Sequence, residues 1–241
     1  MNKICLITGG SRGVGKNIVQ TLSELNYQVV YTYTKKHPKI SSNKNILSLK
    51  MNLENENEIK NIFKIIKKKL KRYPSILINN AAISQEKKFE KISNKDYLKM
   101  MKINLIGQMI VTREFIKNFQ KQSNSFGRII NVSSIGGQLG GKNQVHYAAA
   151  KAGLINFSKS ISNLYSKKKI TCNSIAIGLV KTDMSSNEMN TKEGKKKINN
   201  IPIGRIAELE EISSNVKFPI SSEASYITGQ CINLNGGMFN N

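Results

Sequence analysis

Tyr147 and Lys151 are the two residues whose types and spacing most directly predict chemistry in this sequence. They stand four residues apart in a stretch with helical periodicity, so the phenol and the ammonium are expected on one helix face, one turn apart. A free phenol has a pKa of about 10, and a nearby positive charge lowers it. A phenol beside an ammonium is a candidate general acid or base, if other features of the sequence support the pair.

The spacing alone is weak evidence. Two other tyrosine–lysine pairs share it, Tyr31 with Lys35 and Tyr165 with Lys169. One of those pairs straddles the end of a predicted strand and the other straddles the end of a predicted helix. Only Tyr147 and Lys151 lie within a helical pattern that follows a strand closed by a serine, Ser134. This context selects Tyr147 and Lys151 as the candidate site.

A glycine-rich segment, TGGSRGVG at residues 8–15, follows the first apolar run and leads directly into a helical pattern. Glycines at such a turn let the backbone approach a pyrophosphate, which the first N–H groups and the positive dipole end of the helix stabilise. The TGxxxGxG spacing differs from the common GxGxxG fingerprint, so a glycine turn that holds no ligand remains the alternative. The segment predicts a nucleotide-binding turn.

Short apolar runs alternate with amphipathic stretches from one end of the chain to the other. The runs predict strands at residues 4–8, 28–33, 46–51, 76–80, 128–133, 170–176 and 231–234. The helical patterns include residues 14–26, 56–72, 96–122 and 147–165. This alternation predicts one α/β domain over residues 1–241, a doubly wound parallel sheet of about seven strands with helices on both faces. Such sheets bind ligands at the carboxyl ends of their strands.

The composition excludes several classes of protein. Apolar residues make up 39% of the 241 residues, and no apolar run approaches the roughly 18 residues of a membrane span. The short apolar run near the N-terminus is too short for a signal peptide, so we expect a soluble cytoplasmic protein. Three dispersed cysteines are expected as reduced core thiols, and two isolated histidines form no metal site or hydrolase triad.

The formal charge of +23 permits two interpretations. A basic protein concentrates polyanions, including nucleic acid, through its field alone. However, a surface that binds single-stranded nucleic acid needs aromatic residues among its basic ones. Here the lysines are spread over many predicted helices and do not alternate with aromatic residues. We therefore favour a compositional bias toward lysine and expect neither nucleic acid nor membrane as a partner.

Taken together, these motifs resemble the short-chain dehydrogenase/reductase family over nearly the whole chain. The resemblance rests on the glycine-rich turn, Asn79-Asn80-Ala81 after the fourth strand, Asn104, Ser134, Tyr147 and Lys151, in this order and at these separations. Within the family, residues 147–154, 202–205, 226–229 and 235–238 are similar to bacterial 3-oxoacyl-acyl-carrier-protein reductases. Related carbonyl reductases share several of these later motifs.

The resemblance implies a Rossmann-like enzyme that reduces a 3-oxoacyl thioester to the 3-hydroxyacyl thioester with NADPH by hydride transfer. The implied catalytic residues are Asn104, Ser134, Tyr147 and Lys151. Tyr147 would donate the proton, Ser134 would bind the carbonyl oxygen, Lys151 would also hold the nicotinamide ribose, and Asn104 would position a water. The alternatives are a reductase of acetoacetyl-CoA, small carbonyls or sugar-like intermediates, and a regulatory module that only binds the cofactor.

The implied NADP(H) site lies along the carboxyl ends of the strands. Its residues are Gly9, Ser11, Arg12, Gly13, Val14, Gly15, Thr34, Asn52, Leu53, Asn80, Ala81, Tyr147, Lys151, Val180 and Thr182. No acid follows the second strand to accept from a ribose 2′-hydroxyl, whereas Arg12 has the guanidinium fork that grips a phosphate. These two features favour NADPH over NADH, with solvated lysines after Thr34 as the alternative explanation.

Two residues depart from the family pattern. Ala82 stands where a glycine usually follows Asn-Asn-Ala, and Ile177 stands where a proline usually precedes Gly178. The methyl group of Ala82 would crowd the cofactor, and the loss of proline frees a backbone φ angle. Both departures bear on cofactor affinity.

The resemblance also predicts assembly and a partner. A dimer would pair helices 96–122 and 147–165, and the C-terminal segment would close a tetramer. An acidic acyl-carrier protein would dock on Lys167, Lys168 and Lys169, which alternatively form an ordinary charged helix end. The polar stretch 184–200 is predicted as a mobile lid over the substrate or as a plain surface loop.

Overall fold

The seven apolar runs form a single parallel sheet. The computed structural model describes residues 3–35, 44–122, 126–182 and 191–240. The strands are β1 (Ile4–Ile7), β2 (Gln28–Tyr33), β3 (Ile46–Lys50), β4 (Ile76–Asn79), β5 (Gly127–Ser134), β6 (Ile170–Ile177) and β7 (Cys231–Leu234). Their order across the sheet is β3-β2-β1-β4-β5-β6-β7, and every neighbouring pair is parallel. The predicted fold class is confirmed.

Eight α-helices connect or follow the strands within the described residues. They are α1 (Gly13–Glu24), α2 (Glu56–Leu70), α3 (Asn94–Met101), α4 (Gly107–Phe119), α5 (Gly136–Leu139), α6 (Val145–Tyr165), α7 (Lys192–Asn199) and α8 (Leu209–Lys217). A π-helical turn at Lys102–Ile106 joins α3 to α4. Short 3-10 turns lie at Phe89–Lys91 and Ser166–Lys168. Within the same ranges, no helix is long and apolar enough to cross a bilayer.

The sheet separates two apolar cores. One core lies against α2, α4 and α6 and contains side chains such as Phe63, Phe115 and Ile161. The other lies against α1 and α8 and contains Leu22 and Val216. Because both faces are covered, the central strands are buried almost continuously, which explains their uniformly apolar sequences.

The strand order reverses beside β1. The chain builds β2 and β3 on one side of β1 and then crosses to β4 on the other side. The connections that leave the carboxyl ends of β1 and β4 therefore run in opposite directions and open a crevice between them. The glycine-rich turn follows β1 and Asn80 follows β4, so both border this crevice.

The stretch 184–200, predicted as a mobile lid or as a plain surface loop, is not a plain loop in its second half. Residues 192–199 form α7, and Thr191 is its N-cap residue. The threonine hydroxyl accepts a hydrogen bond from Gly194 N at 3.0 Å. The first half of the stretch, through residue 190, lies outside the described residues. A polar sequence with a glycine gives little helical periodicity, and the N-cap supplies the signal that the periodicity lacks.

Candidate active site

Lys151 lies in the second turn of α6 and is 3% exposed. Its Nζ donates a hydrogen bond to the carbonyl oxygen of Val132 in β5 at 2.7 Å and lies 5.8 Å from the centroid of the Tyr147 ring. Burial lowers the pKa of Lys151 to about 8. The sequence prediction that Tyr147 and Lys151 share one helix face is therefore confirmed, and the lysine is held by the sheet behind the tyrosine.

Tyr147 and Ser134 form the front of the site. Ser134 is the last residue of β5, and its hydroxyl accepts from Gly136 N at 3.1 Å and hydrogen-bonds the Tyr147 phenol. Burial raises the pKa of Tyr147, and the bond to Ser134 opposes that rise. Desolvation of the phenolate is the larger of these two effects. Tyr147 is consequently a neutral phenol with a proton to donate.

The connection between β5 and α6 fixes the distance between Ser134 and Tyr147. The Ser133 hydroxyl donates to the carbonyl oxygen of Lys151 at 2.9 Å, which ties the strand end to the helix. Gly137 packs against the same helix, and a β-carbon on it would lie 2.8 Å from the Lys151 carbonyl carbon. Only glycine permits this close approach of α5 to α6.

Asn104 lies at the centre of the π-helical turn and is fully buried. Its Oδ1 accepts from Ile83 N at 2.9 Å, and its Nδ2 donates to Ile83 O at 2.7 Å and contacts Met100 Sδ at 3.0 Å. The side chain is thus engaged with the segment that follows β4. The expected role in positioning a water stays a prediction, and the contacts show that the carboxamide fixes backbone.

The glycine-rich turn has the backbone geometry that a phosphate site requires. Gly9 and Gly13 adopt φ angles of +67° and +51°, which other residues rarely adopt. A β-carbon on Gly15 would lie 2.3 Å from Gly9 O. α1 begins at Gly13 with no side-chain cap and no acidic residue in its first turn, so among the described residues none of these groups compensates its first N–H groups and positive dipole end. The turn fits a dinucleotide pyrophosphate.

Thr8 and Asn80 join this turn to the segment after β4. The Thr8 hydroxyl accepts from Asn80 N and from Ala81 N, both at 3.0 Å. Asn80 Nδ2 returns two bonds, to Thr8 O and to Gly9 O, also at 3.0 Å. The structure therefore brings together the predicted cofactor residues Gly9, Asn80 and Ala81 at one end of the sheet.

The remaining predicted cofactor residues border the same edge. Thr182 lies beside the turn, its Cγ2 3.8 Å from the position of a β-carbon on Gly13, and Val180 forms a parallel bridge with Ala207. Arg12, just before α1, has an exposed side chain, and so does Thr34, just after β2. Ser11 and Val14 in the turn are partly exposed. Asn52 and Leu53 follow β3; the leucine is largely buried against Gly107.

The two departures from the family pattern have different consequences. Ala82 adopts a negative φ, so the backbone there does not need glycine. Ile177 keeps its place in β6, and its carbonyl oxygen accepts from Ile135 N at 2.9 Å. Gly178 packs against Asn235, whose Cα would lie 2.9 Å from an added β-carbon. The fold accommodates both departures without strain.

Within one chain, the predicted basic docking patch does not lie beside the site. Lys167, Lys168 and Lys169 follow the C-terminus of α6, whereas Tyr147 lies near its N-terminus. From Tyr147 to Tyr165, the last residue of α6, the helix advances by eighteen residues, a distance of roughly 27 Å. Lys169 O accepts from Gly127 N at the start of β5, so these lysines border the amino edge of the sheet, opposite the site.

The sequence analysis missed two buried polar residues that lie beside the site residues. Gln108 is 1% exposed and contacts both Thr8 and Ala81. His146 is also 1% exposed and contacts Gln85 with Nε2 at 3.3 Å. The only available signal for Gln108 was its spacing of four residues from Asn104, which places both side chains on one helix face.

A parallel sheet with a glycine-rich turn at its switch point and a serine, tyrosine and lysine at the same edge defines an oxidoreductase of the dinucleotide-binding type. The comparisons agree. A family model described as enoyl-(acyl carrier protein) reductase matches residues 9–239. The 3-oxoacyl-(acyl carrier protein) reductases of Buchnera aphidicola subsp. Baizongia pistaciae and of Aquifex aeolicus are 37% and 35% identical to this chain. Each match covers 98% of the chain and 97% of the relative.

Solved structures extend the likeness. The aldohexose dehydrogenase of Thermoplasma acidophilum superposes with a TM-score of 0.89 at 25% identity, covering 98% of this chain and 94% of that protein. The chain belongs to the short-chain dehydrogenase/reductase family, and the resemblance stated from its sequence is confirmed. It is an oxidoreductase that acts on CH–OH or C=O groups.

Proposed function

We propose that this protein reduces 3-oxoacyl thioesters, presented by an acyl-carrier protein, to 3-hydroxyacyl thioesters with NADPH. The observation that carries the proposal is that Ser134 and Tyr147 lie side by side in front of the buried Lys151, at the edge that also holds the glycine-rich turn. Two hydroxyl groups that converge on one point fit a carbonyl oxygen. The matched relatives named as 3-oxoacyl-(acyl carrier protein) reductases, similar over almost their whole length, support this substrate class.

The residues of the chain divide the chemistry of carbonyl reduction among them. NADPH, when bound, supplies the hydride. Tyr147 is a neutral phenol because burial raises its pKa, so it holds the proton that the carbonyl oxygen must receive. Ser134 hydrogen-bonds the same oxygen and orients the phenol. Lys151, protonated below pH of about 8, stabilises the phenolate that remains after the proton leaves.

The cofactor would be held by the turn and by the segments beside it. Gly9, Gly13 and Gly15 allow backbone to approach the pyrophosphate, and the exposed Arg12 would grip the 2′-phosphate of the adenosine ribose. Asn80 and Ala81 would border the nicotinamide half. Asn104 serves the same half of the site through Ile83. These assignments extend the sequence predictions and remain our proposal.

The carrier is proposed from the substrate class and from the charge of the molecule. An acidic carrier gains encounter rate from a chain of net charge +23. The docking lysines must be other than Lys167, Lys168 and Lys169 of the same chain, because these lie at the opposite edge. A soluble carrier protein and NADPH are consistent with the predicted cytoplasmic location. The prediction of a single domain over residues 1–241 is kept as part of this proposal.

The test compares two thioesters of the same acyl group. Purified protein is mixed with NADPH and either acetoacetyl-acyl-carrier protein or acetoacetyl-CoA, and loss of NADPH absorbance is followed. We expect turnover of both, with a lower KM for the carrier-bound substrate that rises steeply with salt. Equal KM values at low salt would contradict the carrier assignment. Absence of turnover on both thioesters, together with turnover of a simple sugar or ketone, would contradict the substrate class.

A further inference from the structure

Three polar side chains of the π-helical turn and of α4, which continues it, contact alternate residues from the end of β4 onward. The helical residues are Asn104, Gln108 and Thr112, each four apart, and their partners are Ile83, Ala81 and Asn79. Four helical residues rise about 6 Å, and two residues of extended chain span about 6.6 Å, so the two spacings match in antiparallel directions. Gln108 is the middle contact of the three.

The chemistry of Gln108 is fixed by its neighbours. The Ala81 carbonyl oxygen only accepts, so the Gln108 amide nitrogen must face it and donate. The Gln108 Oε1 is thereby turned toward Thr8, whose hydroxyl donates to it at 3.3 Å. With its proton committed to Gln108, the Thr8 oxygen is left as an acceptor for Asn80 N and Ala81 N. One buried carboxamide thus determines which groups donate and which accept throughout the contact.

This arrangement orders both segments that the proposed cofactor site uses. Asn80, held through Thr8, donates in turn to the carbonyl oxygens of Thr8 and Gly9 in the glycine-rich turn. Ala82 lies between the contacts of Gln108 and Asn104, so its backbone is held on both sides. Gln108 itself is 1% exposed and lies behind these segments, so it acts through them.

We infer that Gln108 is a positioning residue for dinucleotide binding, which aligns the backbone of residues 80–82 with the glycine-rich turn. The inference rests on the proposed NADPH dependence. It predicts that loss of Gln108 weakens NADPH binding while the Ser134, Tyr147 and Lys151 cluster, built on β5 and α6, keeps its geometry. A merely structural glutamine would lower thermal stability without a selective effect on the cofactor.

The test uses Gln108→Met, which keeps the length of the side chain and removes both polar atoms. NADPH binding is titrated by fluorescence, KM for NADPH and kcat are measured, and amide hydrogen exchange is followed without nucleotide. We expect Kd and KM for NADPH to rise about tenfold, with kcat changed less than threefold. The amides of Asn80 and Ala81 should exchange at least tenfold faster, and that of Ile83 should not.

The matched control is Thr112→Val, which removes the neighbouring contact to Asn79 from an equally buried position of the same helix. It is expected to lower Tm as Gln108→Met does and to leave the NADPH Kd within twofold of the parent. If Gln108→Met does not fold, Gln108→Glu measured at pH 9 decides, since the ionised carboxylate keeps the acceptor for Thr8 and loses the donor to Ala81. That variant should also weaken NADPH binding severalfold.

The outcomes separate the two proposals. If the parent binds NADPH and Gln108→Met binds it within twofold of the parent, the inference is wrong and the proposed function stands. If Thr112→Val weakens NADPH binding as much as Gln108→Met, the role is structural and the inference is also wrong. If the parent itself binds no NADPH, the proposed function fails first. Rapid exchange of the Asn80 and Ala81 amides in the parent would overturn the inference without any variant.

Discussion

Lys151 donates a hydrogen bond from its buried ammonium to the carbonyl oxygen of Val132 across 2.7 Å. The bond joins the catalytic helix to the central strand β5 directly behind Tyr147. A buried lysine carries a desolvation cost, which the lowered pKa of about 8 expresses. The site thus holds a cation whose pKa of about 8 lies close to neutral pH.

The first prediction concerns that lysine and pH. Its folded-state pKa of about 8 lies below its ordinary value of 10.5, so between these pH values the unfolded chain binds more protons than the folded one. The free energy of unfolding of the parent should therefore rise with pH across this window relative to Lys151→Met. The gain should reach up to about 3 kcal/mol. Denaturant titrations at pH 7.5 and pH 10, roughly the limits of that window, measure it.

The control for this prediction is Lys159→Met, an exposed lysine of the same helix. Its difference from the parent should not change across the same pH values. A parent and a Lys151→Met variant whose stabilities run parallel with pH would show that the lysine is not desolvated.

The second prediction concerns Tyr147. Tyr147→Phe removes the proton donor and keeps the ring, so turnover of 3-oxoacyl thioesters should fall at least about a hundredfold while NADPH affinity stays near that of the parent. Steady-state kinetics and an NADPH titration check the two parts. Tyr165→Phe, at the far end of the same helix, should have parental activity. A Tyr147→Phe enzyme as fast as the parent would rule out the assignment.

The third prediction concerns the choice of cofactor. Arg12 is exposed beside the glycine-rich turn, and its guanidinium is proposed to bind the ribose 2′-phosphate. Arg12→Ala should raise KM for NADPH about tenfold and leave KM for NADH nearly unchanged, because NADH lacks that phosphate. Lys69→Ala, at the end of α2, removes a similar charge from the opposite edge and should affect neither. Equal kcat/KM of the parent with both cofactors would refute the NADPH preference.

The fourth prediction concerns assembly. Exposed small residues, Ala149 and Ala152, line one side of α6, where a second α6 could pack closely. Sedimentation at micromolar concentration should give a dimer or tetramer of the 27.0 kDa chain. Ala152→Glu should shift this species toward the monomer, whereas Lys64→Glu on α2 should not. A parent that sediments as a clean monomer would contradict the prediction.

The sequence predicted the sheet well because parallel strands covered on both faces are continuously apolar. The predicted strand at 128–133 and the observed β5 differ by one residue at each end. Tyr147, Lys151 and Ser134 were predictable because a helix and the strand before it bring them to one edge. The buried residue behind the site, Gln108, was not predictable. It contacts Thr8 across 100 residues, and no local pattern encodes that pairing.

Two features of the site depend on burial and on distance, which local sequence does not show. The pKa of Tyr147 depends on how deeply the phenol is buried, and periodicity gives no measure of depth. The lysines at 167–169 were placed beside the cleft because they follow the catalytic helix. A helix that crosses back between parallel strands runs antiparallel to them, so its end lies at the opposite edge.

The π-helical turn at Lys102–Ile106 carries a consequence for the length of the chain. Such a turn contains one residue more than the regular helix around it, and each helical residue advances the side-chain direction by about 100°. Deleting one residue there, such as Ile103, would rotate all of α4 by that angle relative to the sheet. Gln108 and Thr112 would then lose their contacts with Ala81 and Asn79, and the apolar side chains Val111 and Phe115 would leave their core. Apart from Asn104, this stretch should therefore accept substitutions of side chains more readily than any change in its residue count, because the count sets the rotational phase of a whole helix.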